Sequence, residues 1–215
     1  MRTQSAIAYE QIKEMIFQME LLPGTRISEV QIAKKLSISR TPIHDALRSL
    51  AAEGLVRIEP NRGATVSKFT DRETKEIGAV RLSLDILSEQ LASYYGSASD
   101  FDHLDNLAEE CEKAASLGDI YGRIRTDCDF HLAISEVTKN ALLIEQQHTI
   151  YQQIYLIQIS KYTDVQHSIL QIGHHKPMVS AMRIGDFEQI QLLTYQHLIG
   201  FYHIDSYLPK CFSTL

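Results

Sequence analysis

The chain has 215 residues, 44% of them apolar, enough to bury a sizeable core in one domain or two, and its net charge of −6 is unevenly divided, with ten Lys and Arg against seven Asp and Glu in residues 1–70 and eleven against twenty in residues 71–215. That balance excludes a molecule that coats nucleic acid along its whole surface, while a basic N-terminal end needs only a few phosphate contacts to bind it. Three scattered cysteines, Cys111, Cys128 and Cys211, support neither a disulfide framework nor a thiolate zinc site; with no charged-then-apolar leader and no apolar run approaching about 18 residues, neither secretion nor membrane spanning is expected, and a cytoplasmic protein is.

From Ser5 to Met19, the residues Ile7, Ile12, Met15, Ile16 and Met19 follow one helical face, and Leu21-Leu22-Pro23-Gly24 ends it. Ser28 then caps a short amphipathic helix that begins at Glu29 and places Val30, Ile32, Ala33 and Leu36 at mostly helical spacing. Ser37-Ile38-Ser39 breaks the pattern. Arg40-Thr41-Pro42 opens a second helix, with Ser39 or Thr41 as its cap and Pro in its first turn, where a missing N–H costs little. In it Ile43, Leu47, Leu50 and Leu55 can face inward, leaving Arg40, Thr41, His44 and Arg48 outside. On a lone charged helix such a face would simply be solvated. Two short helices joined by a three-residue turn, the second with a polar outer face, match a helix-turn-helix, in which that face meets DNA.

Next, Val56 and Ile58, then Ala64 and Val66, alternate around Pro60-Asn61-Arg62-Gly63, which predicts a hairpin with a basic tip. Behind a recognition helix it is a wing that brings Arg62 and the Gly63 backbone to phosphates or the minor groove. Lys34 and Lys35 are expected to position the DNA backbone rather than read sequence. Thr70-Asp71 caps the next helix and sets the boundary, giving a winged helix-turn-helix over 1–70 and a second domain over 71–215.

Residues 71–215 show almost no strand pattern. Ile77, Val80, Leu84, Ile86, Leu87, Leu91 and Ala92 recur at spacings of three and four over 71–95, and further helices are predicted at 100–117, 119–138, 140–162, 174–184 and 186–207, separated by Gly96-Ser97, Gly118 and Gly185-Asp186. Short connections make neighbours antiparallel, so the domain is an all-α antiparallel bundle and its apolar stripes are core. In the third of these helices Asp127 and His131 stand four residues apart, on one face. His174, His175 and His197 lie on later helices. Each alone would be a structural residue; converging, one carboxylate and three imidazoles make a nitrogen-rich set for a divalent transition metal.

Two resemblances add to this reading. Residues 9–68 resemble the N-terminal domain of GntR-family transcription regulators, through Pro23-Gly24, the run SRTPIHDAL over 39–47, Glu53-Gly54-Leu55-Val56 and Arg62-Gly63-Ala64-Thr65-Val66. The resemblance implies DNA contacts from Ser39, Arg40, Thr41, His44, Arg48, Arg62 and Gly63. Two positions depart from it, since His44 and Val30 stand where the family commonly carries arginine. Residues 76–198 resemble the FCD effector domain of the FadR subgroup, through Arg81 with Leu84-Asp85, Asp127-Cys128-Asp129-Phe130-His131, Asn140, His174-His175 through Gly185-Asp186, and His197. It implies Asp127, His131, His175 and His197 as metal ligands, His175 rather than His174 by its count to Asp186. It also implies a small carboxylate effector beside the metal, with Arg81 and Asn140 as candidate contacts; for Arg81 an interhelical salt bridge to an acid such as Asp85 is the competing reading.

The expected protein is a homodimeric, ligand-responsive regulator, a repressor by the commoner family logic, on a palindromic double-stranded operator. It has no membrane partner and no catalytic residues. Its metal is zinc first, with nickel, manganese or iron as alternatives. The rival reading is a metal-dependent hydrolase or oxygenase with an accessory DNA-binding domain; no further acid or base is fixed near the site by any motif, which disfavours it.

Overall fold

The computed structural model describes residues 3–60, 62–161 and 172–208, so Asn61, Tyr162, His167 and Cys211 lie outside the described residues. The N-terminal part opens with helix α1 (Gln4–Phe17), capped by Thr3, whose hydroxyl accepts from Ala6 N. Met19, expected inside this helix, lies beyond it with a left-handed φ of 59°, and Ile7 is exposed while Ala8, Ile12 and Ile16 are buried. Strand β1 (Arg26–Ile27) comes next, then α2 (Glu29–Leu36), capped by the Ser28 hydroxyl through Gln31 N. Ser37 closes α2 in the left-handed region, and α3 (Arg40–Ala52) begins after Ser39, which holds the cap position without a side-chain capping bond. Ile43, Leu47, Leu50 and Leu55 are fully buried beneath it.

The wing is β2 (Val56–Glu59) and β3 (Gly63–Val66), paired antiparallel with Val56 opposite Val66 and Glu59 opposite Gly63. β1 adds to the far edge of β3, Ile27 opposite Ala64, making a three-stranded sheet of order β1-β3-β2. A two-residue strand carries no periodicity, which is why the sequence pattern showed only a hairpin. Ile58 is exposed; the core face of β2 ends at Val56.

The C-terminal part consists of α4 (Asp71–Tyr95), α5 (Ala98–Ser116), α6 (Ile120–Val137), α7 (Ala141–Lys161), α8 (His175–Ile184) and α9 (Phe187–Tyr202), with a 3₁₀ turn at Ile204–Ser206. Their ends are chemically marked. Thr70 and Ser97 form capping boxes with Glu73 and Asp100, Asp119 and Asp186 cap α6 and α9, and Gly185 ends α8 at φ 70°. Ser97 is therefore a start signal as well as a stop. Ala92, Phe101, Leu104, Phe130, Ile134, Met178, Met182 and Ile190 form the central core across α4, α5, α6, α8 and α9. The described residues fall into two compact units, residues 1–69 with Tyr155–Ser160, and Thr70–Ile154 with the residues from Lys161 on.

Helix α4 departs from the expected orientation. Val80 and Leu87 of its apolar stripe are exposed, while Arg81, Asp85, Ser88 and Glu89 are buried. Ile77, Leu84 and Leu91 of that run are half-buried, Ile86 packs against Leu82, Leu198 and Tyr202, and Ala92 lies in the central core. The face that turns inward is largely polar, and it packs beside Asp127 and His131 of α6.

Candidate metal centre and DNA-reading face

Asp127 and His131 project from one face of α6, His175 from the start of α8 and His197 from α9, and all four are buried. One potential ligand atom from each lies within 4.8 Å of the others. His131 Nε2 is 3.2 Å from His197 Nε2, His175 Nε2 is 3.2 Å from Asp127 Oδ1, and His197 Nε2 is 3.7 Å from the same oxygen. Two donors each bound at about 2.1 Å to one ion stand roughly 3.0–3.4 Å apart at octahedral to tetrahedral angles, so the spacing suits a single first-row divalent cation. Phe130 stacks on the His175 ring at 4.3 Å between centroids and fixes its plane. His174 is half-buried and outside the four-residue set.

Protonation suits the same purpose. Burial, seconded by the Arg81 charge, holds the His131 imidazole well below its usual pKa against the pull of Asp127, which keeps a lone pair on the ring. Burial would raise Asp127, but the contact with His175 and the charge of Arg81 hold it well below the usual carboxylate range. The centre is thus an ionised carboxylate among imidazoles, a donor set for a cation.

Around it lies a polar layer that motif reading missed in part. Asp85 Oδ2 stands 3.8 Å behind His131 Nδ1 and accepts from Arg81 Nε at 3.0 Å; Gln147 Nε2 and the Tyr151 hydroxyl also donate to Asp85. Burial nonetheless pushes Asp85 upward, outweighing Arg81. Arg81 donates through Nη1 to the Tyr202 hydroxyl at 3.1 Å, while its Nη2 makes no hydrogen bond and lies 4.0 Å from Asp127 Oδ2. The salt bridge weighed for Arg81 exists: to Asp85 it runs within α4, and a longer contact of 4.0 Å joins Arg81 to Asp127 on α6, leaving Nη2 without a hydrogen bond. Gln147 and Tyr151, four apart on α7, carried no recognisable motif. Asn140 is not brought to this cluster: it is exposed, and its Oδ1 accepts from Leu143 N at the start of α7.

In the N-terminal unit, Ser39, Arg40, Thr41, His44 and Arg48 are exposed together on α3, and Arg62 and Gly63 are exposed at the wing, Gly63 with φ 81°. Arg62 reaches Glu59 at 3.3 Å. Two residues join this face unforeseen. The Arg26 guanidinium lies beside Gly63, where an added Cβ would meet it at 3.5 Å. Glu29 of α2 reaches His44 at 3.3 Å and Arg40 at 3.7 Å.

Known proteins resemble this chain in sequence and in fold. Residues 4–66 match the family of bacterial regulatory proteins named gntR, and residues 76–200 match the FCD domain. The chain is 27% identical over 198 residues to an uncharacterized HTH-type transcriptional regulator, YdhC, of Bacillus subtilis, covering 92% of this chain and 87% of the relative. It is 26% identical over 196 residues to a Paenarthrobacter nicotinovorans protein named "Probable D-xylose utilization operon transcriptional repressor", covering 90% and 82%. Among solved structures, McbR/YncC of E. coli shares the fold at a TM-score of 0.81 and 21% identity, covering 97% of this chain and all of that one. With a winged helix-turn-helix that matches one family and a helical bundle over more than half the chain that matches its companion domain, this chain belongs to the GntR family of transcription regulators, of the kind that carries an FCD domain.

Proposed function

We propose that the chain is a ligand-responsive repressor in which residues 1–70 read DNA and residues 71–215 bind the signal and dimerise. The observation that carries the reading is the buried set Asp127, His131, His175 and His197, with its ligand atoms within 4.8 Å. These residues would hold a divalent ion, zinc first for a nitrogen-rich set, with nickel, manganese or iron as alternatives. When bound, the ion supplies a positive, Lewis-acidic centre.

The chain's own residues define what else fits there. Arg81 Nη2 is a spare buried donor beside the centre, suited to a small carboxylate. Because Arg81 is tied to α9 through Tyr202 and to α7 through Asp85 and Tyr151, an acid that engages it acts on three helices together. The packing shifts only if the acid binds one arrangement better than the other.

Homodimerisation on a palindromic operator is supported by α4. Ile77, Val80, Leu84, Leu87, Leu91 and Tyr94 run at alternating spacings of three and four, and every charge between Ile77 and Tyr95, namely Arg81, Asp85 and Glu89, is buried on the opposite side. In a domain with twenty acids against eleven bases, an uncharged outward seam is where a second copy meets least repulsion. No helix of the described residues is long and apolar enough to cross a membrane, and the reading places the protein in the cytoplasm. The repressor name of one relative supports the sign of regulation. We assign no catalytic activity.

The test is metal analysis of the wild type and of His131→Ala/His197→Ala, followed by a thermal-shift screen of small carboxylates on both. About one divalent ion per chain in the wild type is expected, lost in the double variant together with the ligand-induced rise in melting temperature. Metal-free wild type, purified without chelators, would sink the site. Metal without any carboxylate response would sink the effector part alone.

A further inference from the structure

The DNA-reading face carries an acid where a basic surface is needed. Glu29, in the first turn of α2, places Oε1 3.3 Å from His44 Nδ1 and Oε2 3.7 Å from Arg40 Nη2 on α3. Its side chain is 26% exposed against 53% for His44 and 69% for Arg40, so the carboxylate sits beneath two outward groups. An ionised carboxylate only accepts hydrogen bonds. The ring nitrogen facing it therefore carries the proton, and a neutral His44 is left with Nε2 as an acceptor. In a helix-turn-helix the N-terminal residues of the second helix meet base edges in the major groove, and His44 stands in the second turn of α3. There the only donors are the amino groups of adenine N6 and cytosine N4; guanine N7 and O6 and thymine O4 accept.

We propose that Glu29 determines part of the operator specificity of this chain. By fixing the tautomer of the neutral His44 imidazole it makes Nε2 an acceptor that selects an amino-bearing base, adenine or cytosine, at one position of the operator. Glu29 is a positioning residue, since it acts through His44 rather than on the base. An arginine at 44 would present only donors and select guanine instead. By offsetting the Arg40 charge, the same carboxylate also weakens attraction to phosphates regardless of sequence.

The experiment selects from randomised duplexes with the full-length wild type, Glu29→Gln, His44→Arg and His44→Gln, and then titrates each protein by fluorescence anisotropy on the selected duplex and on duplexes with single base pairs exchanged. Wild type is expected to favour adenine or cytosine at one position by about tenfold. Glu29→Gln, whose amide can donate or accept, is expected to keep the wild-type melting temperature, to bind random duplex more tightly, and to discriminate by less than about twofold at that position. His44→Gln should lose preference there, and His44→Arg should move it to guanine. Undiminished discrimination by Glu29→Gln, an unchanged base preference in His44→Arg, or no base preference in the wild type would each overturn the proposal. Since His44→Arg leaves Glu29 in place, loss of folding in one variant does not shield the idea from the other, and no outcome depends on metal.

Discussion

Thr194 on α9 has one hydroxyl proton and two neighbours that ask for it. Its Oγ1 lies 2.7 Å from the Ile190 carbonyl and in hydrogen-bonding contact with the Glu89 carboxyl, which is fully buried on α4. If the hydroxyl donates to the carbonyl, its oxygen can only accept from Glu89, and the carboxyl must keep its proton. Electrostatics agree, since burial pushes Glu89 well above the usual carboxylate range even against the Thr194 bond. A carboxyl whose pKa is raised by folding stabilises fully below its unfolded value, about 4.3, and that stability is lost as pH rises through the folded value. Glu89→Gln, neutral at every pH, is therefore expected to flatten the fall in melting temperature predicted for the wild type as pH rises above about 4.3. Equal slopes for the two proteins would refute a protonated Glu89. At this scale the sequence was partly legible. Asp127 and His131 stand out because a four-residue step is one helical turn, whereas Glu89 is an unremarkable acid until α9 covers it.

Among the elements, α4 carries two faces, and of the apolar run that periodicity marked as core, Ala92 is buried and Ile86 packs on a core cluster while Val80 and Leu87 face outward. Its apolar stripe is the more regular, so it reads as core; but Asp85 stands behind His131 of the candidate metal centre, and Asp85 is satisfied by Arg81, Gln147 and Tyr151. Once that group is buried, breaking one partner of the Arg81–Asp85 pair strands the other charge, at a cost of about 3–5 kcal/mol. Gly78 belongs to the same face for a steric reason. A Cβ there would lie 2.5 Å from the Tyr202 Cβ, so the absent side chain is what lets α9 approach α4 and bring the Tyr202 hydroxyl to Arg81. Gly78→Ala is expected to lower stability by about 1–3 kcal/mol in urea unfolding, although alanine is the better helix former by roughly 1 kcal/mol. A variant as stable as wild type would mean that Tyr202 yields at no cost.

For the whole molecule, the dimer seam proposed on α4 is tested by the oligomeric state. Leu84→Lys/Leu87→Lys places charge on the outward stripe without touching Arg81, Asp85 or Glu89. The expected result is a wild-type helical spectrum, a monomer by sedimentation where the wild type is a dimer, and loss of the gain in affinity that a palindromic duplex gives a linked pair over a single half-site. A double variant that remains a dimer would move the interface to another face.

By itself the sequence determined the order and chemistry of the parts. Caps such as Ser28 and Thr70, the turn after Leu36, the wing around Gly63, and the Asp127 to His131 step are all local, and local spacing translates directly into helix ends and shared faces. The tertiary structure alone decided convergence. It brought His175 and His197 to Asp127 and His131, gathered Asp85, Gln147 and Tyr151 beside them, joined β1 to the wing, put Glu29 under His44, and left Asn140 as a cap. The physical reason is that these relations hold between residues on different elements, which no periodicity along one helix or strand encodes.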